Sequence, residues 1–149
     1  DSYLLDKVFT MAFTRIIDSF KDEYRWLSNF WVYDNNTQMT VEHHYQAAKA
    51  TNVDDYALII SADNAYEAKR LGSSIVCRAD WYDVRLALME HFVKEKFIWN
   101  GMLASKLKAT SDALLVEGNT WNDTFWGVCN GVGENHLGKI LMKIRDEFL

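Results

Sequence analysis

The stretch Val41-Glu42-His43-His44-Tyr45-Gln46-Ala47-Ala48-Lys49 is where the chain turns helical, and the rest of the fold is organised around it. Thr40 can cap a helix that begins at Glu42, and alanines up to Ala50 favour that helix. At helical spacing one face carries a carboxylate, a phenol, an amide and an ammonium group: Glu42, Tyr45, Gln46 and Lys49. One interpretation is a polar binding wall, and the commoner explanation of such a pattern is a solvated helix face.

Further helical patterns follow this stretch along the chain. Helices are predicted over residues 54–61, 62–71, 80–99 and 101–109, and after the glycine-rich residues 127–133. Asp63 or Ser61 is predicted to cap the helix that Gly72 ends, and Asp80 to cap the long one. The last helix has a predicted buried stripe of Leu137, Ile140, Leu141, Ile144 and Phe148.

Extended segments are short and few in this sequence. Strands are predicted over residues 13–17 and 113–117, and a turn at residues 34–36 separates two short extended pieces. No repeat, linker or change of composition divides the chain. We therefore predict a mainly helical α+β fold, a single compact domain with short strands over residues 11–149. Residues 1–10 are predicted to be an appended remnant or a disordered extension.

Composition and charge narrow the class of protein. With 149 residues, 49% of them hydrophobic, the chain is long enough for a buried core and is not of the disordered class. The net charge of −5 argues against broad, charge-driven binding along a nucleic-acid backbone. It leaves open a local basic patch.

The patterns of cysteine, histidine and hydropathy predict neither a metal-binding site nor a membrane-spanning helix. Cys77 and Cys129 have no framework or zinc-ligand spacing, and reduced thiols of a cytoplasmic protein are the default expectation. His43 and His44 are adjacent, so they point in different directions and do not form a same-face metal pair. No apolar run approaches the about 20 residues of a membrane-spanning helix. We expect no cofactor, no metal and no membrane contact.

Two further stretches contain candidate binding residues. The first is Asp80-Trp81-Tyr82-Asp83-Val84-Arg85, in which the Trp81 ring and the Arg85 guanidinium lie one helical turn apart and could both contact a ligand. The commoner alternative is a core tryptophan covered by Arg85. The stretch Glu117-Gly118-Asn119-Thr120-Trp121-Asn122-Asp123-Thr124-Phe125-Trp126-Gly127 precedes further glycines and the last helix. Glycines before a helix allow close approach to an anion such as phosphate, although an ordinary loop is the usual explanation.

The order and spacing of the separated motifs match one family. The motifs are Leu27-Ser-Asn-Phe30, Val41-Glu-His-x-Tyr-Gln-Ala-x-Lys49, Ala68-x-x-x-Gly72, Asp80-Trp81-x-x-x-Arg85-x-x-x-Met89, Lys96-Phe97-x-x-Asn100, Leu115-x-Glu117, Asp123-x-x-Trp126-Gly127 and Gly131-x-Gly133-x-Asn135-x-Leu137-Gly138-x-x-Leu141-Met142-x-x-Arg145. With these motifs the chain resembles the YbiA-like, or NADAR, family over residues 15–149. It departs from the family at Gln38-Met39, where an aromatic-proline pair is frequent, and at Val128 and Cys129 in the glycine-rich loop.

The resemblance implies an N-glycosidase that hydrolyses a ribose–nitrogen bond in a nucleotide-like substrate. Family substrates include early riboflavin biosynthesis intermediates, NAD-derived compounds and ADP-ribose on a modified base, guanine in DNA. The resemblance assigns Glu42 and Asp123 as the catalytic carboxylates, without dividing acid from base. The binding residues that it implies are Asn29, Gln46, Lys49, Trp81, Arg85, Trp126, Gly127, Asn135 and Gly138. The implied partner is a small nucleotide-like substrate or an ADP-ribosylated base, with DNA contact in the second case.

Other classes of function stay open at this stage. A non-catalytic module that binds ADP-ribose or a nucleotide would use the same pocket. It would have little need of two carboxylates beside an anionic ligand, which argues against it. A structural or interaction protein is disfavoured because polar residues are concentrated in the matched motifs. The oligomeric state is not indicated.

Overall fold

A computed structural model describes residues 15–149, and it contains mostly helix. The elements of this part of the chain are β1 (Ile16–Ile17), a 3-10 helix (Asp22–Leu27), α1 (Val41–Ala47), α2 (Val53–Ile60), α3 (Ala65–Gly72), α4 (Trp81–Ile98), α5 (Gly101–Ala109), β2 (Leu114–Leu115) and α6 (His136–Phe148). The prediction of a mainly helical single domain with short strands is confirmed. Residues 1–10, and the first two residues of the strand predicted over 13–17, lie outside the described residues.

Helix α1 lies at the centre and packs against α2, α3 and α4. Its N-terminus is capped as predicted, because the Thr40 hydroxyl accepts a hydrogen bond from the His43 N–H at 3.2 Å. The helix ends at Ala47. Beyond it the N–H groups of Lys49 and Ala50 bond to carbonyls three residues back, which tightens the chain into turns.

Two predicted helix caps are wrong. Helix α3 is capped by Asn64, whose side chain accepts a hydrogen bond from the Glu67 N–H, and not by Asp63 or Ser61. The predicted end of α3 is confirmed, since Gly72 is its last residue and Ser73 is the C-cap. Asp80 makes no capping hydrogen bond because its carboxylate is held by the Arg78 guanidinium, with Nε–Oδ1 at 2.6 Å.

The two strands form a minimal parallel sheet beneath α6. Ile16 pairs with Leu114 and Ile17 with Leu115. The extended pieces predicted around residues 34–36 form a single antiparallel bridge between Asp34 and Met39. In α6 the predicted stripe is buried except at its end, where Phe148 is 43% exposed.

The core is formed by the inner faces of the longer helices together with the two strands. Its fully buried members include Val41, Val93, Phe97, Leu115 and Leu141. After β2 the chain forms a loop in which Gly118 bridges to Val128. This loop, the residues on either side of the 3-10 helix, and α1, α3 and α4 surround one cavity.

Candidate active site

The cavity has a volume of about 590 Å³ and is lined by polar and aromatic side chains. Its walls come from residues 20–30, helices α1, α3 and α4, the loop after β2, and the first turn of α6. This volume lies within the range typical of small-molecule sites, about 300–1,000 Å³.

One wall is the polar face of α1. Glu42, Tyr45, Gln46 and Lys49 all line the cavity. The solvated-face interpretation is wrong, because Glu42 is 6% and Gln46 4% exposed. The helix is short and packed on three others, so its polar face turns inward to the cavity.

Glu42 is a buried carboxylate with a fixed orientation. Its Oε1 accepts a hydrogen bond of 2.7 Å from Gln46 Nε2, one turn along the helix. Burial raises the pKa of Glu42, and the Gln46 bond together with Lys69 and Lys49 opposes that rise. The N–H of Glu42 donates to the carbonyl of Asn29, a predicted binding residue that also lines the cavity.

Asp123 faces the same cavity from the loop after β2. Its Oδ1 accepts hydrogen bonds from the N–H groups of Phe125 (3.1 Å) and Trp126 (2.9 Å). Asn119 holds the other side of the turn, since its Oδ1 accepts from the Asp123 N–H at 3.0 Å and its Nδ2 donates to the Asp123 carbonyl at 2.8 Å. The carboxylate is therefore fixed by its own loop.

A third carboxylate, Glu117, lines the cavity and was not among the predicted site residues. Burial and the nearby Asp123 carboxylate raise its pKa to about 7. Two buried side-chain polar atoms lack a hydrogen-bond partner within residues 15–149, Glu117 Oε2 and Gln46 Oε1, and both belong to residues of this cavity. The available signal was its place two residues after the end of β2, in the matched motif Leu115-x-Glu117 and six residues before Asp123.

Four cationic side chains line the cavity, and two of them were predicted. Lys49 and Arg85 are the predicted ones, and Lys21 and Lys69 are additional. Burial lowers the pKa of Lys49. The Arg85 guanidinium lies 3.6 Å from the centre of the Phe125 ring, so it does not cover Trp81 as the commoner explanation supposed. Within residues 15–149 none of the four pairs with a carboxylate within 4.0 Å.

Aromatic rings complete the lining. Trp126 lines the cavity as predicted and packs edge-on against Tyr45, with 5.5 Å between ring centres. Phe30, Tyr66 and Trp121 are lining residues that the sequence did not single out. Tyr66 and Trp121 are 76% and 52% exposed, so they stand at the mouth, where a planar base can stack.

Four predicted binding residues do not line the cavity: Trp81, Gly127, Asn135 and Gly138. Trp81 is buried behind Tyr45, with 4.9 Å between ring centres. Asn135 accepts a hydrogen bond from the Glu117 N–H and donates one to the Leu115 carbonyl, both at 3.0 Å. A Cβ on Gly127 or Gly138 would lie 2.1 Å from the carbonyl oxygen of Glu117 or Leu115, respectively. Asn135, Gly127 and Gly138 therefore contact the segment 115–117, which carries Glu117.

The described chain shows neither a metal-binding cluster nor a membrane-spanning helix. Between residues 15 and 149 no cluster of three or more His, Cys, Asp or Glu side chains is placed to bind a metal ion. No helix in that range has the length and apolar character needed to span a bilayer.

Comparisons with known proteins point to one family. The NADAR domain profile matches residues 16–149. An N-glycosidase of Nostoc punctiforme is 43% identical over 114 residues, which cover 72% of each protein. The N-glycosidase YbiA of Escherichia coli K12 is 34% identical over 136 residues, covering 87% of this chain and 84% of YbiA. A riboflavin biosynthesis protein of Vibrio vulnificus is 42% identical over 109 residues; that match covers 71% of this chain but 29% of the Vibrio protein.

A solved structure agrees with the sequence comparisons. The NMR structure of E. coli YbiA superposes with a TM-score of 0.78 at 32% identity, covering 90% of this chain and 84% of that one. The profile match extends over nearly the whole of the described chain. The protein therefore belongs to the NADAR domain family.

Proposed function

We propose that this protein hydrolyses the bond between a ribose carbon and a nitrogen in a nucleotide-like substrate. The observation that supports it best is the meeting of three carboxylates, Glu42, Glu117 and Asp123, in one cavity that also holds four cations and several rings. Relatives named N-glycosidases favour the same bond type.

The chemistry of the bond suits this lining. Cleavage of a glycosidic bond passes through an oxocarbenium-like state, which a carboxylate beside the anomeric carbon stabilises. Glu42 and Asp123 are our candidates for that charge stabilisation and for activation of the attacking water. The hydrogen bond from Gln46 favours the ionised form of Glu42 and opposes the rise in its pKa that burial causes.

The substrate class follows from the cations and rings. Lys21, Lys49, Lys69 and Arg85 form no ion pairs among the described residues, so their charge is available to an anionic group such as phosphate. Asn29 and Gln46 line the cavity and are our candidates for binding ribose hydroxyls, and Trp126 is our candidate for contact with the base. Relatives named riboflavin biosynthesis proteins favour early riboflavin intermediates as the first substrate.

A second substrate class is ADP-ribose attached to a base, or an NAD-derived compound. The exposed rings of Tyr66 and Trp121 at the mouth favour it, because they offer stacking surface outside the enclosed part of the cavity. A purely binding role is disfavoured, since three carboxylates beside an anionic ligand weaken binding unless they serve catalysis.

The decisive experiment supplies purified protein with three kinds of substrate. These are early riboflavin intermediates, NAD, and DNA bearing ADP-ribosylated guanine, with mass detection of the released base and ribose products. We expect release of a free base or amine from at least one of them. Tight binding of a substrate without any release would contradict the enzyme assignment and support the binding module.

Glu42→Gln and Asp123→Asn test the two carboxylates. Each keeps the side-chain shape, and in Asp123→Asn the amide oxygen can still accept from the N–H groups of Phe125 and Trp126. We expect each change to reduce kcat by about 10²-fold or more with the melting temperature unchanged. Glu23→Gln, at an exposed site away from the cavity, is the control. Loss of rate together with loss of thermal stability would indicate a structural role for the altered residue.

A further inference from the structure

We propose that Glu117 is the general acid of this site and delivers a proton to the nitrogen that leaves the ribose. The inference rests on the proposed N-glycosidase function and assigns different roles to the carboxylates of the cavity. Three features of Glu117 support it: its unpartnered oxygen, its fixed backbone and its surroundings, which favour the protonated form.

The carboxyl group of Glu117 has an oxygen that the protein leaves unused. Oε2 is buried and has no hydrogen-bond partner within residues 15–149, and its residue lines the cavity. Leaving a buried polar atom unsatisfied costs free energy, so such atoms need a reason. That cost is larger for an ionised carboxylate than for a neutral carboxyl group, so the unpartnered oxygen favours the protonated, proton-donating form of Glu117 in this cavity.

The backbone of Glu117 is held on both sides. Its N–H donates to Asn135 Oδ1 at 3.0 Å, and its carbonyl accepts from the Val128 N–H at 2.8 Å. The same carbonyl is packed against Gly127, where a Cβ would approach it to 2.1 Å. A general acid must lie close to the reacting atom, and small displacements lower the rate. A rigidly held backbone at Glu117 therefore favours this role.

The surroundings of Glu117 favour its protonated form, chiefly because the group is buried. Burial is the largest influence and Asp123 on the following loop the next; Lys21 before the 3-10 helix and Lys69 on α3 act in the opposite direction. The resulting pKa of about 7 keeps about half of the groups protonated at neutral pH. This is the range in which a general acid works best.

The other two carboxylates are held as acceptors. Glu42 receives a hydrogen bond from Gln46, and Asp123 receives two from the backbone N–H groups of Phe125 and Trp126. Of the three, Glu117 alone has a buried carboxyl oxygen that lacks a hydrogen-bond partner among residues 15–149. Burial raises the pKa of Glu42 as well, but the hydrogen bond from Gln46 opposes that rise, whereas no hydrogen bond opposes it at Glu117. Such differences between the environments of neighbouring carboxyl groups assign acid and base roles.

The step balances as a hydrolysis. The Glu117 O–H proton passes to the leaving nitrogen as the C–N bond breaks and its electron pair goes to that nitrogen. Water then adds to the ribose carbon and gives one proton to an ionised carboxylate of the cavity. The products are ribose bearing a hydroxyl and the neutral amine or base, and proton exchange with solvent restores Glu117.

The test is Glu117→Gln, assayed on whichever ribosyl substrate the wild type cleaves. We expect kcat to fall by about 10²- to 10⁴-fold. In the wild type kcat should decline above pH about 7 as Glu117 ionises, and in the variant that decline should vanish. Glu23→Gln, exposed and outside the cavity, should keep the wild-type rate and pH profile.

Analogues that differ only in the acidity of the leaving amine separate an acid from a structural residue. The variant should lose most with the poorest leaving group and recover as the nitrogen departs more readily without a proton. Equal losses across the series, an unchanged pH profile, or a variant that fails to fold would each overturn the assignment. If the wild type itself cleaves no ribosyl substrate, it is the proposed function that fails.

Discussion

Lys96 is the least conventional residue of the core. It lies on α4, is 1% exposed, and its Nζ donates to the Ser28 carbonyl at 2.9 Å. No carboxylate of residues 15–149 lies within 4.0 Å of it. Burial lowers its pKa to about 7, against about 10.4 for a lysine in water. The folded protein therefore holds this proton more weakly than the unfolded chain does.

This difference makes stability depend on pH in a defined window. Between pH about 7 and about 10 the unfolded chain binds the Lys96 proton and the folded protein does not, so the free energy of unfolding rises with pH. Lys96→Met lacks this contribution. We expect the stability of the variant relative to wild type to be greatest near pH 6 and to fall by a few kcal/mol by pH 10.

Denaturant unfolding of both proteins at a series of pH values measures that difference. The other titrating groups are common to both proteins and cancel in the subtraction. If the free energy of unfolding changed with pH in the same way for both proteins, Lys96 would have an ordinary pKa in the folded state. Lys108→Met, at an exposed lysine, is the control and should give parallel curves.

At the scale of elements, the contact between α1 and α3 sets the position of Gln46. A Cβ on Gly72 would lie 2.0 Å from Gln46 Oε1, 2.8 Å from its Cδ and 2.9 Å from its Cβ. Glycine is thus required here by close packing of two helices, and not by the backbone conformation of a helix end. Gln46 in turn holds Glu42, so this packing reaches the candidate active site.

Gly72→Ala should therefore damage both stability and activity. Alanine is the better helix former by up to about 1 kcal/mol, but the crowding forces the helices apart or displaces Gln46, which typically costs about 1–3 kcal/mol. We expect a lower melting temperature and a lower kcat, from thermal unfolding and steady-state kinetics.

Gly101→Ala is the matched control for this change. A Cβ at Gly101, the first residue of α5, meets nothing within 4 Å. Its melting temperature should stay the same or rise slightly, and its kinetics should match wild type. If both variants behaved alike, helix propensity and not close packing would explain the effect of Gly72→Ala.

Local signals explain which elements the sequence predicted well. The Thr40 cap and the shared face of Glu42 and Gln46 depend on spacing within a single helix, and both are present. The cap at Asp80 failed because Arg78, two residues away, binds the same carboxylate. That competition between two local bonds is not encoded in helix-capping preferences.

Roles set by distant parts of the chain were harder to predict. Asn135 sits in a polar, glycine-rich stretch typical of ligand binding, yet its side chain joins Glu117 and Leu115 on another segment. Glu117 acquires its raised pKa from burial, which depends on the packing of segments distant in sequence. Lys69 lines the cavity from α3. In the sequence pattern of that helix it is simply one more charged residue of the exposed face.

On the scale of the whole molecule, the cavity differs in charge from its surroundings. The chain carries a net charge of −5, whereas four cationic side chains line the cavity: Lys21, Lys49, Lys69 and Arg85. These four cations outnumber the three carboxylates of the cavity, Glu42, Glu117 and Asp123, so the cavity attracts anionic ligands although the chain as a whole is negative. The acidic remainder of the surface repels long polyanions, so the field favours a compact anionic substrate over a continuous nucleic-acid track.

Salt dependence measures this field directly. Raising the ionic strength from about 0.05 M to about 0.5 M shortens the screening length from about 14 Å to about 4 Å. For a phosphorylated substrate we expect KM to rise several-fold while kcat changes little, because screening weakens binding but not the enclosed chemistry. The unphosphorylated analogue should show a weak salt effect on KM, since it lacks the charge.

Lys69→Gln should raise KM at low salt and reduce its salt dependence, and Lys108→Gln, an exposed lysine outside the cavity, should do neither. Equal salt effects on the two substrates would show that the cavity cations do not bind the phosphate.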